Sequence, residues 1–228
     1  MAPVRITVAV LALVAMASGP AHVAPSVLYA SHPPPSLALD LRLTAIRTLP
    51  PLTSAALMSE TSAIWRESHI LVRWVESDGT DDKPTSLRVL ILARVVPPAG
   101  ESSGWTVGEL VRMGDSRALA IASITGALRI VEESRRFQLI DSPALHDHRL
   151  GVVLGRAVAH EIGHYVLQTN THASRGLMRA TIDAREFADL RSGTFRLDEE
   201  AEAHLASVAA RGLLVPEPAT SKFSYAAR

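Results

Sequence analysis

The chain contains no cysteine. A fold without disulfides or thiolate ligands is held by its hydrophobic core and by any metal bound through His, Asp or Glu. The same absence excludes lipid attachment through Cys and a Cys that caps a metal in a latent form. Aromatic residues are scarce, at 4% of 228 residues, so Ala, Leu, Val and Ile have to build the core. Neither charge is in excess: 23 Lys and Arg balance 23 Asp and Glu, and no basic run occurs. Nucleic acid and anionic membrane are therefore not expected as principal partners. Apolar runs long enough to span a bilayer, about 20 residues, are also lacking. The run at residues 6–17 follows Arg5 and precedes the small residues Ala17-Ser18-Gly19-Pro20-Ala21. That order predicts a secretory signal peptide and its cleavage region within residues 1–30, with cleavage after Ala17, Ala21 or Ala30. The mature chain is then exported, secreted or periplasmic, with no stable membrane insertion once the signal is removed.

What is present is a 47% hydrophobic fraction, enough for one well-buried domain. Residues 31–36 read as a Pro-rich lead-in, 37–215 as the single domain and 216–228 as a mobile tail with little to bury. Leu37, Leu39, Leu41 and Leu43 alternate with smaller or polar residues at the period of a half-buried strand. Thr53 or Ser54 caps a helix that carries Leu57, Thr61, Ile64 and Trp65 on one face. Strands are predicted at 69–75 and 87–96, separated by a turn at 77–84 whose three Asp lack the alternation of a calcium-binding hand. Residues 110–113 and 118–124 form a hairpin through 114–117, and a helix follows at 127–136. Asp147 caps the next helix, with His146 and His148 on the surface at its start. A short helix at 183–190 ends at Gly193, and Asp198 caps a last helix at 199–211, closed by Gly212. The expected class is α+β: a small mixed, twisted sheet packed on one central helix, with a C-terminal helix.

That central helix carries His160-Glu161-Ile162-Gly163-His164. Residues four apart lie one turn above each other on a helix, so the two imidazoles can converge on one metal ion. Glu161 is rotated by roughly 100° and reaches a metal-held water without being a ligand. Leu154, Val158, Ile162, Tyr165 and Val166 supply an apolar stripe by which the helix docks. Gly151, Gly155 and Gly163 each cost about 1 kcal/mol relative to Ala in a helix, which points to close approach of neighbouring elements. A hydrolytic zinc site needs three protein ligands and an open position for water. Two ligands are in hand.

Downstream stands Gln168-Thr169-Asn170-Thr171-His172-Ala173-Ser174-Arg175-Gly176-Leu177-Met178. With the helix, this stretch resembles the metzincin group of zinc metalloproteases, whose H-E-x-x-H-x-x-G-x-x-H motif is followed by a Met-containing turn beneath the metal. The resemblance runs from the metal helix through Met178, about a quarter of the chain. Two positions depart from the motif: Leu167 stands at its glycine and Asn170 at its third His. His172, two residues later, is the next available imidazole. Asn tolerates the left-handed backbone that glycine adopts there, so Asn170 places the turn later and delivers a later ligand. His172 is accordingly the expected third ligand, and Met178, in Gly176-Leu177-Met178, the residue under the site. Asp183 and Glu186 remain rivals, because other zincins take a carboxylate from a later helix.

The resemblance implies a zincin-like domain and a peptidase. In such folds the strand bordering the cleft lies upstream of the metal helix, and residues 118–123 are the candidate. The Tyr that many metzincins carry after the Met is missing, since Arg179-Ala180-Thr181 follows Met178. His69, His204 and the two N-terminal His have no ligand partner at useful spacing. The expected protein is an exported Zn2+-dependent peptidase acting on a peptide or protein substrate, with His160, His164 and His172 holding the metal and Glu161 as general base. No other cofactor is implied. The competing expectation is a secreted zinc-containing binding protein of the same fold without turnover, for which Glu161 would serve no purpose.

Overall fold

The computed structural model describes residues 37–45, 47–75, 86–93, 107–113, 117–135, 142–191 and 193–211. The expected signal peptide, lead-in, tail, Asp-rich turn and closing Gly212 lie outside them. Among these residues five strands and five helices follow one another as β1 (Leu37–Ala45), α1 (Pro51–Glu67), β2 (Ile70–Trp74), β3 (Ser86–Leu92), β4 (Gly108–Met113), β5 (Arg117–Ser123), α2 (Ile124–Arg135), α3 (Pro143–Val166), α4 (Ala184–Ala188) and α5 (Glu199–Ala210). The strands make one sheet in the order β2-β1-β3-β5-β4, parallel throughout except for β4, which runs antiparallel to β5. The α+β class read from the sequence is the class observed.

Register explains where α3 lies. Leu43, Val89, Ala120 and Leu110 stand side by side across four strands, and Ala45, Ile91, Ala122 and Gly108 make the next row. Both rows share a face, because residues two apart on a strand point the same way. Along β5 that face carries Ala118, Ala120 and Ala122, all buried. Small side chains there leave room for a helix to approach the sheet, and α3 packs on β5 and β4. From Arg149 to Val166 nearly every residue of α3 is buried, Tyr165 and His160 being only partly so. A helix apolar or satisfied all round belongs in the centre of a domain.

On its other flank α3 meets α1, the most extensive helix–helix contact in the fold. The glycines anticipated as points of close approach sit at this seam. A Cβ on Gly155 would lie 2.8 Å from the Leu57 carbonyl oxygen and 2.9 Å from Glu60 Cβ, and one on Gly151 would collide with the Thr53 carbonyl. The closeness lets hydroxyls of α1 bond carbonyls of α3: Thr61 Oγ1 donates to Gly155 O at 3.0 Å and Thr53 Oγ1 to Asp147 O at 3.0 Å. Below the seam Leu57, Ile64 and Trp65 are buried, on the face expected of them.

Several boundaries differ from expectation, each for a local reason. Helix α1 starts at Pro51, and no side chain caps it, because the capping position is Pro50, which offers no side-chain acceptor, so Thr53 and Ser54 fall inside the first turn. Thr53 is instead buried and bonded to α3. Helix α3 starts at Pro143, with Ser142 as its cap accepting from Leu145 N at 3.2 Å, so Asp147 lies inside the helix and His146 and His148 are half-buried rather than on the surface. Strand β3 ends at Leu92, and residues 94–96 of the predicted strand lie outside the described residues. Ile124 begins α2 rather than ending β5. The predicted hairpin is present, yet 118–123 does not border the open side of the sheet. Strand β5 pairs with β3 on one side and with its hairpin partner on the other, so among the described residues the edge passes to β4.

The seam gives a measurable consequence. Gly155→Ala should raise helix propensity by about 1 kcal/mol yet lower overall stability by about 1–3 kcal/mol, because the new methyl meets backbone that cannot swing aside. The midpoint of urea unfolding should therefore fall; a midpoint equal to wild type or higher would show that the seam tolerates the methyl.

Candidate metal centre

His160 and His164 lie one turn apart on α3, and their Nε2 atoms face each other at 3.1 Å. His172 reaches them from the loop beyond the helix, stacked on His160 at 5.3 Å between ring centroids and edge-on to His164 at 4.8 Å. One ring nitrogen from each of the three lies within 4.8 Å of the others, the group among the described residues that could hold a metal ion.

The tautomers follow from what each Nδ1 touches. His160 Nδ1 is 2.8 Å from the Leu177 carbonyl oxygen, and His164 Nδ1 is 2.9 Å from that of Thr169. A carbonyl only accepts, so each Nδ1 carries the proton and, in a neutral ring, each Nε2 presents a lone pair. Burial, as the main cause, and the neighbouring imidazoles push His160 down to about 4, and burial also lowers His164. Neutral rings therefore prevail near pH 7. Two lone pairs then confront each other across 3.1 Å with no proton to share. A cation between them removes the repulsion. Two nitrogens bound to tetrahedral zinc at 2.0–2.1 Å stand about 3.3 Å apart, close to the spacing present. The donor set therefore fits a divalent metal, and carbonyl bonds on the far ring nitrogens are the usual support of metal-binding imidazoles.

The loop turns earlier than anticipated. Helix α3 ends at Val166, Leu167 is still in the right-handed region, and Gln168 takes the left-handed conformation at φ 52°. Asn170 does not make the turn. The two additional residues are absorbed beyond it, where Thr171 N and Thr171 Oγ1 both bond Thr169 Oγ1 in a tight local turn. That turn also presents Thr169 O to His164. The end of α3 is fastened from two sides: Arg112 of β4 donates to His164 O at 2.8 Å, and His204 of α5 to Leu167 O at 2.9 Å.

Glu161 is 6% exposed. Burial, followed by the charge of Glu109, raises its carboxyl to about 8 in the metal-free chain. A cation among the histidines acts in the opposite sense and favours the ionised form. Strand β4 lies directly over this carboxylate, since a Cβ on Gly108 would come within 2.6 Å of Glu161 Oε1. Met178 packs under the metal helix as expected of it: it is 2% exposed, and a Cβ on Gly163, between the two helical histidines, would strike its Sδ.

The rival carboxylates are engaged elsewhere. Asp183 caps α4, accepting from Arg185 N at 2.8 Å, and Glu186 is held by Arg179 and Thr194. His146, His148, His69 and His204 stay outside the cluster. Sequence reading missed Gly108, Arg112 and the carbonyls of Leu177 and Thr169. A lone glycine opening a strand was the one available signal, and backbone carbonyls leave none. No protein-family model matches the chain, and no curated protein matches it.

The buried carboxyl sets a pH dependence for the metal-free protein. Glu161 ionises near 4.5 when unfolded and near 8 when folded, so the unfolded state releases its proton first and stability falls as pH rises between those values. Metal-free Glu161→Gln should thus melt above wild type at pH 8, with the gap narrowing toward pH 4.5. Equal melting temperatures across that range would show that the carboxyl carries no penalty.

Proposed function

We propose that the chain is an exported zinc-dependent peptidase that hydrolyses peptide bonds in peptide or protein substrates, with Glu161 as general base and His160, His164 and His172 as metal ligands. The observation that carries the reading is the pair of Nε2 atoms at 3.1 Å on a helix whose intervening Glu161 is buried beneath β4. A zinc ion held by His160, His164 and His172 would supply Lewis acidity and lower the pKa of a water toward neutrality. Glu161 takes the proton of the attacking water and delivers it to the leaving amine. Its surroundings suit both halves of that task, because a carboxyl drawn upward by burial and downward by a cation can hold and give up a proton near pH 7.

Strand β4 supports a peptide as the substrate. Among the described residues it is the outermost strand of the sheet on that side, and its first residue overlies Glu161. An extended chain can add to such an edge through backbone hydrogen bonds, which brings its carbonyls to the base without any demand on side-chain identity. Gly108 keeps the strand close to Glu161, and Arg112 ties β4 to the end of the metal helix. Export is read from residues 1–30, and among the described residues no helix is long and apolar enough to cross a membrane.

Metal analysis and proteolysis together test the reading. Purified protein should carry one equivalent of zinc and cleave casein. Glu161→Gln should retain the metal while its turnover falls by about 10²-fold or more, and His172→Ala should lose the metal. Undiminished cleavage by Glu161→Gln would remove the proposed base; zinc retained without any cleavage by wild type would leave a binding protein. A milder change probes the edge strand. Gly108→Ala pushes against only the flexible end of Glu161, so it should fold normally and still cleave more slowly, and wild-type kinetics would separate β4 from catalysis.

A further inference from the structure

Glu186, a rival ligand on sequence grounds, is drawn into a different role. Its carboxylate receives both terminal nitrogens of Arg179, at 2.9 and 2.5 Å, and the hydroxyl of Thr194 at 2.9 Å. The Nε–H of the same guanidinium donates to Gly176 O at 3.1 Å. Gly176 has φ 73°, and the next amide, Leu177 N, donates to Arg196 O at 2.7 Å. The carbonyl of Leu177 is the acceptor that orients His160. On the opposite limb of this turn Ala173 N donates to Met178 O at 2.8 Å, so the residue after His172 is tied to the residue before Arg179.

The other end of the arrangement returns to the metal helix. Arg156, 1% exposed, donates through one terminal nitrogen to Phe187 O at 2.8 Å and to Glu186 O at 3.4 Å. Its Nε bonds Glu60 of α1 at 2.7 Å, and its guanidinium lies 4.2 Å from the centre of the Phe195 ring. Arg156 stands one helical turn before His160. A closed circuit therefore leaves α3 at Arg156, passes through the α4 backbone, the Glu186 carboxylate, Arg179 and the turn at Gly176-Leu177, and re-enters α3 at the His160 imidazole.

We infer that Glu186 is a positioning residue: acting through Arg179, it sets the turn from His172 to Met178 and with it the orientation of His160 and the approach of His172. The inference rests on the three-histidine metal reading. A bidentate carboxylate–guanidinium fork fixes a plane as well as a distance, which a lysine or a single hydrogen bond would not do. The pair is partly exposed, at 20% for Arg179 and 31% for Glu186, and pairs of that kind add little to global stability. Its main effect is then the shape of the turn. Partners of this kind around metal-binding imidazoles typically change metal affinity by about 10–100-fold when removed.

The test uses the whole chain with zinc, cobalt and no metal. Glu186→Gln and Arg179→Lys should each bind zinc about tenfold or more weakly in competition with a chelator, and the visible bands of the cobalt-loaded protein should shift. If the two residues act as one unit, the double variant should lose no more than either single one. The far-UV circular dichroism of both metal-free variants should match wild type, and Arg179→Lys, which keeps its charge, serves where Glu186→Gln folds poorly. In the metal-free protein, ring nitrogen NMR should find His160 locked with its proton on Nδ1 in wild type and mixed between tautomers in Glu186→Gln. Unchanged zinc affinity and an unchanged His160 tautomer in the variants would overturn the inference. A wild type that takes up no metal would instead refute the metal reading, while the tautomer comparison would still decide whether Glu186 positions His160.

Discussion

Two imidazole nitrogens that both point lone pairs into one small space are the constraint from which the rest of the structure can be understood. Neither Nε2 of His160 and His164 can donate to the other, because each ring keeps its proton on Nδ1, where it is donated to a backbone carbonyl at the far side. Burial closes the alternative of protonating the pair, since it holds both rings below their ordinary basicity. The folded chain thus concentrates negative potential between the two rings, where the three-histidine group could hold a metal ion. The carbonyls that create this situation belong to Leu177 and Thr169, which is why the loop after α3 matters as much as the helix itself.

Holding such an unfavourable arrangement requires a rigid frame, and small residues build it. Gly151 and Gly155 let α1 press against α3, the alanines of β5 let α3 approach the sheet, and Gly163 lets Met178 fit beneath the histidines. Gly108 does the same service above Glu161. Each of these glycines in α3 weakens the isolated helix, and the packing each allows offsets that loss. The scarcity of aromatics belongs to the same pattern: a core of Leu, Ile, Val and Ala around one buried Trp65 suits elements that approach closely.

The frame is closed by polar links between segments distant in the chain. Arg112 joins the edge strand to the end of the metal helix, His204 joins α5 to the same end, and Arg156 joins α3 to both α1 and α4. Such links are directional, so they set orientation where apolar contacts set only proximity. The loop that bears His172 has few buried side chains of its own, and Arg179 with Glu186 gives it a definite shape.

Periodicity and local chemistry were enough, from sequence alone, to establish the long helix α3, the hairpin, the face of α1, the cap of α5, and the pair His160 and His164. These depend on neighbours within one or two turns, which is the range a linear pattern records. His172 was reached by resemblance and by being the next imidazole, while the turn that brings it was placed at Asn170 when Gln168 makes it. Tolerance of a left-handed backbone is a statistical preference, and the tethers on the end of α3 outweighed it. Tertiary structure alone decided that β4 rather than β5 borders the site, that Gly108 overlies Glu161, and that Glu186 bonds Arg179 instead of joining the histidines. The first two are meetings of groups far apart in the chain, and the third joins side chains seven residues apart across an irregular turn; none leaves a periodic mark in the order of side chains.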